Sequence, residues 1–149
     1  MAARSRDYWL LVLPAFMLFG VGVGCNRQGA AIREVSHLRA VTMLYPEAMR
    51  RLGHRPSEQE FKEFAAKNGT ELLKVLEIAS LDEMLVSDRD GKPFVILYGN
   101  PPAGVKKGII AYEQEGVDGI RQVGYDLGTI EEADAAKFSE LVPAGAAAK

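Results

Sequence analysis

The 149 residues include one cysteine, two histidines and one tryptophan, and 18 Lys and Arg nearly cancel 20 Asp and Glu. A single cysteine excludes an intramolecular disulfide, a zinc cluster built from cysteine pairs and a CxxC redox centre. The net charge of −2 and a pI near 5.7 leave no basic excess to displace counterions from phosphates, so no nucleic-acid partner is expected. The sequence has no GxGxxG, no GxxxxGK[ST] and no GxSxG, and therefore no phosphate-cradling loop or nucleophile elbow of a known pattern. His37 and His54 stand apart, outside any metal-ligand spacing. No catalytic residue, metal or cofactor is expected on these grounds, and a non-enzymatic role is favoured. A content of 48% hydrophobic and 26% charged residues suits one ordinary domain and excludes disorder throughout.

The apolar residues are unevenly spread. Arg4 and Arg6 precede a run of seventeen residues, positions 8–24 (YWLLVLPAFMLFGVGVG), that carries no charge and ends at Cys25. A basic start followed by an apolar stretch is the pattern of an export signal, and this stretch is short for a helix that must cross about 30 Å of hydrocarbon. Gly22-Val23-Gly24-Cys25 resembles the lipobox of bacterial lipoproteins, in which small residues flank the cut and the cysteine becomes the lipidated first residue. That resemblance implies a signal peptide over 1–24, a lipid anchor on Cys25 and a location in the cell envelope. The membrane then becomes a partner through the acyl chains, each buried CH₂ contributing about 0.8 kcal/mol.

Residues 25–30 are polar and read as a tether, followed by one α+β domain over 31–142 and a loose tail over 143–149. Ile32, Val35, Leu38, Val41, Leu44 or Tyr45, Ala48 or Met49 and Leu52 recur at helical spacing. Pro46 predicts a kink, or a break at Tyr45 with a second helical piece after it. Ser57-Glu58-Gln59-Glu60 is a capping box that opens a helix over 58–67, with Phe61, Phe64 and Ala65 inward and a left-handed stop at Asn68-Gly69. Thr70 opens another short helix. Two β-rich runs, 84–87 and 93–99, flank the Asp88-Arg89-Asp90-Gly91-Lys92 turn, and a second strand pair is expected over 109–113 and 120–126. A last helix is expected over 131–141, its Glu131, Glu132 and Asp134 complementing the helix dipole. The expected fold is therefore α+β, with N-terminal helices packed on a small antiparallel sheet of about four strands and a C-terminal helix.

Few residues carry a chemical signal. Asp88-x-Asp90-Gly91 shares its opening with a calcium loop, but Gly99 occupies the position where that loop requires glutamate, so a plain Asp-Gly turn is the better reading. Tyr98, Tyr112 and Tyr125 fall on three expected strands and predict a cross-strand aromatic row, which serves as packing or as a ligand surface. His37 is expected at the helix surface and His54 in a solvated turn. Arg33, Arg39, Arg50, Arg51 and Arg55 make the helical half basic and read as a solvated face.

The segment Asp90-Gly91-Lys92-Pro93-Phe94-Val95-Ile96 is similar to the D-x-x-G-x-P-Y stretch that opens the C-terminal sheet of type II secretion pseudopilins. Ile110-Ala111-Tyr112-Glu113, the Gly119 turn, Val123-Gly124-Tyr125-Asp126 and residues 138–141 resemble the C-terminal region of planctomycete pilin-like proteins. That region carries a histidine, nine residues and Asp-Gly, whereas here Asp126 is followed by Leu127 and Gly116 stands where the histidine would, with nine residues between. The prepilin start is absent too, since Cys25 follows the apolar run. The resemblance implies an exported pilin-like sheet on a lipoprotein leader. A structural or envelope-protein-binding role follows, with a pilin-like secretion component or a periplasmic small-ligand protein or enzyme as the alternatives. The latter would use Asp88, Asp90, Asp126 or the tyrosines.

Overall fold

The computed structural model describes residues 27–144. Cys25 and the expected signal segment therefore lie outside the described residues, as do the last five positions. Five helices and one four-stranded sheet make up the domain: α1 (Arg27–Leu52), α2 (Glu58–Asn68), α3 (Thr70–Val75), α4 (Leu81–Met84), β1 (Val95–Ile96), β2 (Ile109–Tyr112), β3 (Arg121–Tyr125), β4 (Ile130–Ala133) and α5 (Ala135–Leu141). The strands follow the order β1-β2-β3-β4, and each neighbouring pair is antiparallel. The expected α+β class is thus observed.

Helix α1 begins at Arg27, so most of the stretch read as a tether is helical, and it runs through Pro46 without a break. Tertiary packing outweighs the proline: Leu38, Val41, Leu44, Tyr45 and Ala48 are buried on one side of it and form the main core with Phe61, Ala65, Ile78, Met84, Ile110 and Ala111. Leu52, expected on that face, is exposed. The sheet meets α1 at Gly124 of β3, where a Cβ would collide with the Thr42 methyl and lie 3.2 Å from Leu38 Cδ1. Only glycine allows helix and strand to approach this closely.

The Ser57 capping box forms as expected, with the Glu60 N–H donating to Ser57 Oγ and the Ser57 N–H to Glu60 Oε2. Gly69 is not a left-handed stop, however. Its φ is −86°, and its role is clearance, because a Cβ there would press on the Ala65 carbonyl and Leu44. The run expected as a strand over 84–87 contains instead the end of α4 and one isolated bridge, Val86 to Pro93. Ser80 caps α4 by accepting from the Glu83 N–H at 3.1 Å. Its place in the sheet is taken by β4, which includes the Glu131 and Glu132 assigned to a helix start from sequence; Asp134 is the residue that caps α5.

A bulge between Ile109 and Ala111 shifts the β2–β3 register by one residue. Ile110 and Ala111 consequently both join the α1-side core, while Ile109 and Tyr112 join a second cluster on the other side of the sheet with Leu97, Val123, Ala133, Phe138, Leu141 and Val142. The sheet lies between a thick helical layer and a thin one formed by α5.

Candidate functional site

Several polar side chains meet at the turn over residues 87–92, which joins α4 to the start of the sheet. Its frame is local: the Ser87 N–H donates to the Lys92 carbonyl and the Gly91 N–H to the Ser87 carbonyl, both at 2.9 Å, with Gly91 at φ +67°. From this frame Ser87 Oγ donates to Glu113 Oε1 at 2.7 Å, and Glu113 Oε2 accepts the Gln122 N–H at 2.7 Å. Glu113 is 1% exposed. Arg89 Nε lies 3.7 Å from Glu113, and its Nη1 donates to Glu132 of β4 at 3.1 Å. A buried carboxylate immediately after β2 is thereby met by a hydroxyl, a backbone amide and a guanidinium, which together replace the water it has lost.

His37 closes the other side of the turn. Contrary to the expectation of a surface position, it is buried, with Nδ1 2.9 Å from the Val86 carbonyl oxygen and 3.4 Å from Asp88 Oδ1. A carbonyl only accepts, so Nδ1 carries the hydrogen. The far nitrogen, Nε2, lies 3.9 Å from Glu83 Oε1. His54 is exposed, as expected for a turn, and meets Glu60 at 3.2 Å.

Asp90 has a structural occupation. Its carboxylate accepts the N–H groups of Lys92 at 3.0 Å, Glu115 at 3.2 Å and Gly116 at 2.9 Å, so it clamps the 87–92 turn to the loop after β2. Partial burial works to raise its pKa, but these amides outweigh that effect and hold it below the usual aspartate value. Asp88 faces His37, not Asp90, and the two carboxylates share no bonding partner. Asp126 stands elsewhere, in a 3-10 turn (Asp126–Gly128) whose first N–H donates to the Gly108 carbonyl.

The expected tyrosine row does not form. Tyr98 lies past the end of β1 and packs on the helical side, its ring 6.2 Å from those of Tyr45 and Phe61. Tyr112 points to the other side of the sheet, where it meets Phe138 edge-on at 5.2 Å. Tyr125 pairs in register with Ile109 and donates its hydroxyl to Glu131 at 2.6 Å. Burial of the rings raises the pKa of Tyr98 and Tyr125 well above the ordinary tyrosine value, with the Glu131 carboxylate adding to the effect at Tyr125. Register and alternation are the physical reasons: Tyr112 pairs with Val123 rather than Tyr125, and Tyr98, one past Leu97, falls on the opposite side of the sheet.

Two clefts of about 320 Å³ lie away from this turn: one where α2, α3 and the segment before α4 meet, lined by Ala65, Leu73, Ile78 and Leu81, the other between the end of α1 and α2, lined by Arg51, Leu52, Phe64 and Lys67. Among the described residues, no three His, Cys, Asp or Glu side chains are grouped to hold a metal ion, and no helix is long and apolar enough to cross a membrane. Sequence reasoning missed His37, Ser87, Arg89 and Glu113 as a group, since three separate stretches of chain, up to 76 positions apart, bring them to this turn. The alternation of Tyr112-Glu113 at a strand end was the one available signal. No family model, curated protein or solved structure matches the chain.

Proposed function

We propose that the chain is an exported protein of the bacterial cell envelope, anchored by acylation of Cys25, whose α+β domain has a structural or protein-binding role. The observation that carries this reading is the charge-free run over 8–24, preceded by Arg4 and Arg6 and ending in Gly22-Val23-Gly24-Cys25. Helix α1 begins two residues after that cysteine, so an anchor at Cys25 couples to the domain core through a helix that packs on it. The side chains with chemical potential around the turn are bonded into the fold, which favours a scaffold over a reactive site. Metabolic labelling with palmitate tests the anchor: wild type should take up label and Cys25→Ala should not, and equal labelling overturns it. Crosslinking in intact envelopes followed by pull-down tests the binding role, which fails if no protein is recovered above an unrelated anchored control.

A second reading, a pilin-like component of a secretion apparatus, is favoured by one feature. A long N-terminal helix lies on the face of an antiparallel sheet, with Leu38 and Thr42 seated against Gly124. The two readings part at the mature N-terminus. A pilin retains its apolar helix, whereas a lipoprotein begins at the acylated Cys25, and mass spectrometry of the mature chain separates them.

A further inference from the structure

Helix α5 has seven residues, too few to hold helical shape alone, so its order depends on being seated on the sheet. Three apolar side chains seat it: Phe138, Leu141 and the following Val142 are buried against the cluster that includes Leu97, Ile109, Tyr112, Val123 and Ala133. The rest of the helix is exposed. Its charged and polar fastenings are the Asp134 cap on the Lys137 N–H, the Lys137–Glu131 ion pair, the Lys106 N–H donating to the Leu141 carbonyl and the Arg121 guanidinium of β3, 4.3 Å from the centre of the Phe138 ring.

Beneath this helix is a defect. Tyr112 is 2% exposed and its hydroxyl has no hydrogen-bond partner among the described residues, while its ring meets the Phe138 ring edge-on. A buried hydroxyl without a partner has lost its water bonds and gained nothing, and the Phe138 ring of α5 is among the groups packed against this tyrosine. The main core, built from α1, α2, α4 and the opposite side of the sheet, contains no α5 residue. The two layers can therefore separate in stability.

We infer that α5 is a lid that leaves the sheet as a unit, hinged at Asp134, while the α1-side core stays folded, and that the buried Tyr112 hydroxyl holds it close to opening. Once open, the hydroxyl is hydrated and the apolar side of β2 and β3 is uncovered. The pKa of Tyr112 agrees with this burial: desolvation raises it against the opposing effect of Arg121.

Amide hydrogen exchange on the full-length chain in a mild detergent tests the lid. The Phe138 and Val142 amides, bonded within α5, should exchange by a local opening, well ahead of the Val123 amide of β3. Tyr112→Phe removes the defect without changing the ring, and should slow exchange in α5 by about five-fold or more relative to β3. Leu141→Ala should accelerate exchange in α5 and leave the buried half of α1 unchanged. Exchange of α5 at the rate of β3, an unchanged or faster α5 in Tyr112→Phe, or equal acceleration of α1 in Leu141→Ala would each overturn the inference.

Discussion

Ser87 and Glu113, 26 residues apart, meet at 2.7 Å inside the domain, and the turn that carries Ser87 is fixed by that bond to the residue that follows strand β2. Glu113 also receives the Gln122 N–H, so its removal strands two buried donors. Glu113→Ala should lower stability by about 2–5 kcal/mol, whereas Glu132→Gln, which touches only the exposed end of the same network at Arg89, should cost less than about 1 kcal/mol. Urea midpoints at constant slope check the contrast. Equal small losses would show that the buried carboxylate does not organise the turn.

Gly124 and Thr42 make a second pair whose fit is steric. Gly124→Ala drives a methyl into the Thr42 Cγ2 and should cost about 1–3 kcal/mol. Thr42→Ser removes that methyl and keeps the hydroxyl that bonds back to the Leu38 and Arg39 carbonyls. The double variant should regain part of the loss, and a thermal-melt cycle of the four proteins measures the coupling. Additive losses would mean that α1 and β3 adjust independently.

The parts of the fold that were legible in the sequence are those specified locally. Helix α2 is announced by Ser57 and Glu60 and follows the spacing of Phe61 and Ala65; the buried stripe of α1 follows Leu38, Val41, Leu44, Tyr45 and Ala48. Ser80 and Glu83 carry the same cap signature before α4, but the apolar Met84-Leu85-Val86 run obscured it. Strand β4 was illegible because Glu131 and Glu132 are weak strand formers, held there by pairing with β3 and by Arg89. The buried His37 and Glu113 could not be read from spacing, since their partners Val86 and Ser87 arrive from distant turns. The tyrosine row failed on register and alternation: Tyr112 pairs with Val123, two positions short of Tyr125, and Tyr98 packs on the opposite side of the sheet from both.

Asp90 gives the domain a component of acid sensitivity. Its folded pKa lies below its ordinary value, so its contribution is complete above the ordinary aspartate range and is lost as pH falls through the folded value. Asp90→Asn cannot titrate; its single oxygen keeps either the Lys92 amide or the Glu115 and Gly116 amides, so it loses part of the clamp at every pH. Urea midpoints at pH 6 and pH 3 should therefore differ less in Asp90→Asn than in wild type. An equal difference in the two proteins would show that the loop clamp does not depend on ionisation.

Pro46 is the one position where α1 departs from its own local rules. A proline inside a helix removes an N–H and crowds the carbonyl four residues back, here that of Thr42, whose side chain is fully buried. The helix nonetheless continues to Leu52, because Tyr45 and Ala48 on either side are buried and the Tyr45 hydroxyl donates to the Leu97 carbonyl at 2.9 Å. Packing thus holds a turn that propensity opposes. Pro46→Ala supplies the missing donor and should stabilise the domain by about 1 kcal/mol or more, read as a rise in both melting temperature and urea midpoint. Should it destabilise instead, the proline must set a bend that seats Tyr45 beneath Arg55, whose guanidinium carbon lies 5.6 Å from the ring centre, and α1 would owe its fit to the proline rather than tolerate it.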